Sequence, residues 1–250
     1  KANLLQACDD GYDLIIGASS NIADYITENA SSYPDTKFAV IDTTVDLPNV
    51  ESISFAQNEG SFLAGYIAAS MSETGVVGAV GGEDNDTIND FLIGYKEGAQ
   101  YANPDIKVVT NYANTYEDPA KGKECALALN SQGADVIFAV AGNTGNGVFA
   151  AAKEKGFYVI GVDQDQKLSA PEYDEQIICS MKKEVGTSVY DTVKALIEDD
   201  TWDGGRIWTA DMATGYVSMA YGDENSTQQV SDDLKKATDD IQNKIVAGEI

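Results

Sequence analysis

Along this chain short apolar runs alternate with segments of helical period, and that alternation restricts the fold more than any other feature. The runs are DLIIGAS (13–19), KFAVID (37–42), VESISF (50–55), GVVGAVGG (75–82), IKVVTNY (106–112), DVIFAVAG (135–142), FYVIGVD (157–163) and QIICSM (176–181). Between them stand segments such as IADYITENASSYP, EGSFLAGYIAASMSE, NDFLIGYKEGAQYAN and PAKGKECALALNSQG. Strands of roughly four to eight residues alternating with helices of roughly 10 to 15 predict βαβ units and parallel sheets. Several runs are apolar throughout, as required when helices cover both faces of a sheet.

The alternation breaks twice. A new series of strands starts at ETGVVGAVGG, and IICSMKKEVG leads into the long helix TSVYDTVKALIEDD and a glycine-containing break at 203–205. These breaks predict two α/β lobes, each a doubly wound parallel sheet, with hinges near 73–76 and 181–186 and a ligand cleft between the lobes. Lobe 1 is expected to take 1–74 plus about 182–204, and lobe 2 to take 75–181 plus about 205–250. Lobe 1 shows only three strands, few for a stable sheet. The chain also opens inside a helix, with Leu4, Leu5 and Cys8 on one face. An amino-terminal strand-helix-strand of lobe 1 is therefore expected to be missing. The tail, 206–229, is expected to add one or two strands that belong to neither lobe by pattern alone. It ends in a helix whose core stripe is Leu234, Ala237, Ile241 and Ile245.

Charge narrows the partners. Sixteen Lys and Arg face 41 Asp and Glu, for a formal charge of −25. Such a surface repels phosphate backbones and anionic membranes, so nucleic acid is not an expected partner. The chain holds no histidine, which removes Ser-His-Asp and Cys-His nucleophilic catalysis and the commonest zinc ligand. Cys8, Cys125 and Cys179 are too few and too scattered for a disulfide framework and read as buried free thiols. No apolar stretch approaches the roughly 18 residues that cross a bilayer. No cofactor is expected.

The candidate ligand-binding residues cluster where strands end. GNTGNG (142–147) lacks the lysine and hydroxyl residue that complete a P-loop, since Val148 and Phe149 follow. Its GxxGxG spacing and late position also fail the dinucleotide fingerprint. What remains is either a tight turn or a place where a ligand approaches the backbone around Gly142. Asp42 ends KFAVID and Asp163 ends FYVIGVD, the positions from which a carboxylate accepts hydrogen bonds from ligand hydroxyl or N–H groups. Tyr116 precedes DPAKG, a helix start with Asp118 as N-cap and Pro119 at the first position. Its ring could stack on a flat ligand or pack on a neighbouring loop. Lys183 stands near the second hinge as a cleft donor or a solvated lysine. Neither DQDQ (163–166) nor DNDTIND (84–90) matches a calcium loop.

Seven pieces occur in an order that carries a family resemblance: EGSFLAGYIAA (59–69), NPDIKVV (103–109), DPAKGK (118–123), SQGADVIF (131–138), AGNTGNGV (141–148), AAKEKG (151–156) and GVDQDQ (161–166). Together they resemble the basic membrane protein family of substrate-binding lipoproteins, the purine-nucleoside receptors of ABC importers, over residues 1 to about 210. The resemblance implies a type I periplasmic-binding-protein fold, three crossovers between lobes and a non-enzymatic, extracytoplasmic receptor. It also implies a monomer that delivers a nucleoside to an ABC permease and meets the membrane only through a lipid anchor absent from this chain. It assigns Asp42 to the base, Tyr116 to stacking in place of a phenylalanine, and Gly142, Asp163 and Lys183 to the ribose. Two departures stand out: the family's amino-terminal base-reading loop is absent, and Ser19, Ser20 and Asn21 occupy a loop where an aromatic is common. A sugar or other metabolite receptor of the same fold, or a cytoplasmic ligand-sensing domain, are the alternatives.

Overall fold

A computed structural model describes residues 1–18 and 20–250, with the side chains of Ser20 and Asn21 outside the description. Of the Ser19, Ser20 and Asn21 stretch singled out above, Ser19 lies outside the described residues, while the backbone of Ser20 and Asn21 opens a helix. The chain divides into two compact units, Lys1–Ala56 with Glu184–Tyr216, and Gln57–Lys183 with Val217–Ile250.

Unit 1 is a four-stranded parallel sheet in the order β1 (Leu14–Ala18), β2 (Lys37–Ile41), β3 (Val50–Phe55), β9 (Ile207–Ala210). Helices α1 (Ala2–Asp9), α2 (Ser20–Asn29) and α8 (Val185–Ile197) accompany it. Its core joins Leu4 and Cys8 to Ile26, Phe38, Val40 and Val50. Full burial of each large apolar side chain stabilises by about 1.5–3 kcal/mol. One polar layer interrupts the apolar packing. The Glu51 carboxylate, 4% exposed, accepts hydrogen bonds from Trp208 Nε1 at 3.0 Å and Thr192 Oγ1 at 3.2 Å, with the Arg206 guanidinium 3.6 Å away. Trp208 also meets Tyr216 edge-on, and the Tyr216 hydroxyl donates to Asp191.

Unit 2 is a six-stranded sheet in the order β10 (Val217–Ala220), β8 (Ile177–Lys183), β7 (Tyr158–Asp163), β6 (Val136–Val140), β4 (Val76–Gly81), β5 (Lys107–Tyr112). Five strands run parallel and β10 is antiparallel to β8, so the sheet is not uniformly parallel. Helices α3 (Gln57–Met71), α4 (Asp86–Ala102) and α9 (Asp232–Val246) and helices α5 (Pro119–Asn130) and α6 (Gly145–Lys155) form two packed groups. The short helix α7 (Gln166–Ser169) follows β7. Right-handed crossovers place these groups on opposite faces, because the chain passes from β4 outward to β5 and then back past β4 to β6. The α5–α6 core buries Leu129, Ile137, Val148 and Phe149 completely. The cap expected for the helix at DPAKG is present, and the last helix has one of the same kind. Asp118 accepts from the Ala120 and Lys121 amides with Pro119 following, and Ser231 caps α9 by accepting from Leu234 N. Of the predicted α9 stripe Ile241 is buried and Leu234, Ala237 and Ile245 are half-buried, while Thr238 is the most enclosed residue of the helix.

The lobe boundaries expected from sequence move. Helix α3 belongs to unit 2 because it packs backbone-close on α4. A Cβ on Gly98 would lie 1.8 Å from the Phe62 carbonyl oxygen, so only glycine admits the contact. The expected first hinge, 73–76, therefore falls inside unit 2, and the chain passes between units at 56/57, 183/184 and 216/217. Residues 205–216 belong to unit 1 because β9 pairs with β3. The three cysteines are free; Cys8 and Cys179 are buried, but Cys125 is only half-buried. Burial pushes all three thiols up from their ordinary range.

Candidate functional site

In unit 2 the switch of strand order falls between β4 and β6, and the loops leaving these strands diverge to opposite faces. Open α/β sheets bind ligands at such a point, outside the carboxyl ends of the strands. Backbone geometry marks the same ends. Asn114 after β5, Gly142 after β6 and Asp163 at the end of β7 have φ of 58°, 54° and 68°, and in unit 1 Asp42 after β2 has φ of 63°. Left-handed backbone is costly for most residues, while Asn and Asp tolerate it. Such strain persists where the surroundings over-determine it, often at sites of function.

Gly142 and Asp163 share one recess of about 280 Å³, whose lining also includes Asn143, Asn146, Gln164 and Gln166. Its polar groups are ordered before any ligand arrives. Asn146 Nδ2 donates to Asn143 Oδ1 at 2.7 Å, and Gln166 Oε1 accepts from the Val162 amide at 2.7 Å. Asp163 is an exposed residue of this lining, and Asp165 beside it accepts from the Lys167 and Gly222 amides.

Tyr116 adjoins Gly142, where a Cβ would touch Tyr116 Cβ at 3.5 Å. Its ring does pack on a neighbouring loop. A Cβ on Gly82 would come within 2.2 Å of the ring, so that face is covered by Gly82 backbone. The phenol oxygen accepts from Asn85 Nδ2 at 2.9 Å. Burial raises the Tyr116 hydroxyl above its ordinary range. Thr144, wholly buried, ties the two loops together. Its amide donates to the Tyr116 carbonyl at 3.0 Å, and its hydroxyl donates to Thr115 O and accepts from Asp118 N.

The GNTGNG motif thus divides its labour. Gly142 makes the turn and lines the recess. Gly147 serves helix packing, since a Cβ there would lie 1.8 Å from Pro119 O on α5. Lys183 is not a solvated surface lysine. It is 5% exposed at the end of β8, its ammonium 5.4 Å from the centroid of the Phe91 ring, a cation–π distance. The structure therefore joins Tyr116, Gly142 and Asp163 around one set of strand ends in unit 2, places Lys183 at the end of β8, and puts Asp42 at the equivalent point of β2 in unit 1.

Sequence reasoning missed Gly82, Asn85 and Thr144. Asn85 was legible in principle: an Asn opening a helical stretch is an N-cap signal, and it does cap α4 by accepting from Ile88 N at 3.1 Å. That assignment also explains DNDTIND as a helix start, with Asp84 accepting from Asn89. Among the described residues no cluster of three or more Cys, Asp or Glu side chains could hold a metal ion, and no helix is long and apolar enough to cross a membrane.

Residues 2–250 match the family model of PnrA-like ABC transporter substrate-binding proteins, Bmp. The ABC transporter nucleoside-binding protein BmpA of Lactococcus lactis subsp. cremoris is 36% identical, over 96% of this chain and 72% of the relative. Basic membrane protein A of Borreliella burgdorferi is 35% identical, over 97% of this chain and 71% of the relative. Among solved structures, an ABC transporter system solute-binding protein from Aeropyrum pernix K1 superposes with a TM-score of 0.88 at 29% identity. It covers 100% of this chain and 79% of that one.

Proposed function

The chain belongs to the Bmp family, the PnrA-like substrate-binding proteins of ABC transporters, and on that premise we propose that its ligand is a nucleoside, of the purine class. As a family member it is an extracytoplasmic binding protein and not an enzyme. Delivery of the nucleoside to a permease by a monomeric, lipid-tethered receptor belongs to the same proposal.

One juxtaposition carries the reading. An aromatic plane, Tyr116, and a carboxylate, Asp163, flank Gly142 at the strand ends of unit 2. A flat base joined to a hydroxyl-bearing ring has that pair of needs. Stacking on one aromatic side chain is worth roughly 1–3 kcal/mol per base. The Asp163 carboxylate is proposed to accept from ribose hydroxyls, each such charge-assisted bond being worth about 1.5–3 kcal/mol. Lys183, steadied over Phe91, is proposed to donate to the ribose, and Asp42 to accept from base N–H groups. The Lactococcus relative named as nucleoside-binding supports this choice over other ring-and-hydroxyl ligands.

Calorimetric titration with inosine, guanosine, adenosine, uridine and free ribose tests it. Saturable binding of the purine nucleosides, with ribose alone binding weakly, is expected. If no nucleoside binds at roughly millimolar concentration, where the free energy is only about −4 kcal/mol, the reading is wrong.

A further inference from the structure

We propose that Asn85 is a positioning residue for the ligand: its side-chain amide holds the Tyr116 ring in its stacking orientation before any ligand arrives. The ligand half of this inference rests on the nucleoside reading above; the anchoring of the ring rests on geometry alone.

Tyr116 is held at several points, the Glu83 backbone beside its phenol among them. Its carbonyl accepts from the Thr144 amide at 3.0 Å, its ring lies on Gly82, and its phenol oxygen accepts from Asn85 Nδ2 at 2.9 Å. Gly82 is itself fixed, its N–H donating to Val140 O at 2.9 Å and its carbonyl accepting from Thr115 N at 3.1 Å. Asn85 is itself held at the other end of its amide. Its Oδ1 accepts from Ile88 N as the N-cap of α4, so the Nδ2 hydrogens necessarily face the opposite side, where the phenol lies. One amide thereby links the start of a helix after β4 to a ring after β5.

An unanchored ring on a half-exposed loop samples several rotamers, and binding must freeze one. Ordering a side chain on binding weakens affinity by about two- to tenfold. The Asn85 contact removes that cost in advance and leaves one ring face covered by Gly82 and the other for the ligand. The phenol oxygen is engaged by Asn85, so the ring acts through its face.

Four variants of the full chain separate this role from capping. Asn85→Ser keeps an N-cap acceptor but is too short to reach the phenol. Tyr116→Phe keeps the ring and removes the anchor point. The double variant combines them. Asn85→Asp caps α4 and can accept a hydrogen bond from the phenol, restoring the anchor with its direction reversed. In the ligand-free protein, tyrosine-labelled NMR is expected to show a single χ1 rotamer for Tyr116, with contacts from its ring protons to the Gly82 α-protons. Both are expected to persist in Asn85→Asp and to average out in Asn85→Ser, whose unfolding midpoint stays near wild type. Inosine affinity is expected to fall about two- to tenfold in Asn85→Ser and in Tyr116→Phe, no further in the double variant, and to recover in Asn85→Asp. A Tyr116 ring as mobile in wild type as in Asn85→Ser overturns the anchor. Additive losses in the double variant, or unchanged affinity in Asn85→Ser, overturn its effect on binding. If wild type binds inosine, guanosine and adenosine not at all, the nucleoside reading fails and takes the ligand role of Asn85 with it, while the rotamer measurement still decides the anchor.

Discussion

Asp163 illustrates why identity and backbone must be weighed together at a single residue. Its φ of 68° favours Asp, Asn or Gly, and its carboxylate faces the recess of Gly142. Asp163→Asn keeps the tolerance for left-handed backbone and removes only the charge. It is expected to weaken inosine binding by about ten- to a hundredfold, the worth of a charged hydrogen bond. Calorimetric titration of the variant checks it. Tyr216 makes a second prediction, in pH. Burial, then the Asp191 carboxylate that its hydroxyl meets, pushes it from an ordinary 10 up to about 12. The folded state thus holds this proton more tightly than the unfolded chain. Its contribution to stability is complete below pH 10 and is lost as pH rises from 10 to 12. Denaturant titrations across that window are expected to show a shallower loss for Tyr216→Phe than for wild type.

Among elements, the α3–α4 pair and the α7 segment carry the sharpest consequences. Gly98→Ala would set a Cβ 1.8 Å from the Phe62 carbonyl, so the helices must part. A destabilisation of about 1–3 kcal/mol, the usual cost of overpacking, is expected in urea unfolding. At α7 the Lys167 side chain is fully buried with its ammonium 2.9 Å from Asp174 Oδ1 and 2.8 Å from the Asp174 carbonyl. Burial raises the Asp174 carboxyl, but the Thr227 and Lys167 donors outweigh it and hold the group below its ordinary range. Asp174→Ala would leave the buried ammonium its backbone carbonyl but no countercharge, and is expected to cost about 3–5 kcal/mol by the same measurement. Strands were the most legible elements. The expected runs KFAVID, VESISF and FYVIGVD overlie Lys37–Ile41, Val50–Phe55 and Tyr158–Asp163, because an apolar run bounded by turns admits little else. The partners of an element were not legible. No periodicity in EGSFLAGYIAA says which sheet the helix covers; that is decided by a fit between two helices, in which Gly65 of α3 meets the Tyr95 backbone and Gly94 and Gly98 of α4 meet the backbones of Asn58 and Phe62. Likewise β9 and β10, close neighbours in the tail, pair into different units. At the site, strand-end position alone pointed to Asp163 and Gly142, but Asn85 and Thr144 act on Tyr116 from remote segments and carried no pattern linking them to it.

For the whole molecule the formal charge of −25 opposes compaction. Raising ionic strength from about 0.01 M to 0.15 M shortens the screening length from about 30 to 8 Å. The unfolding midpoint is expected to rise with it; a midpoint that stays constant or falls would show that paired charges dominate over self-repulsion. The buried Glu51 layer has a consequence of another kind. It draws on residues 51, 192, 206 and 208, so unit 1 closes only with chain that follows the larger segment of unit 2, Gln57–Lys183. Between the emergence of β3 and that of β9 roughly 150 residues must be made, which takes about 8 to 30 s at 5–20 residues per second. Through that interval the edge of β3 that β9 will occupy is unpaired, a template for any passing strand. The newborn first unit therefore depends on whatever attends it in those seconds, while the Glu51 carboxylate waits in water for an indole not yet made.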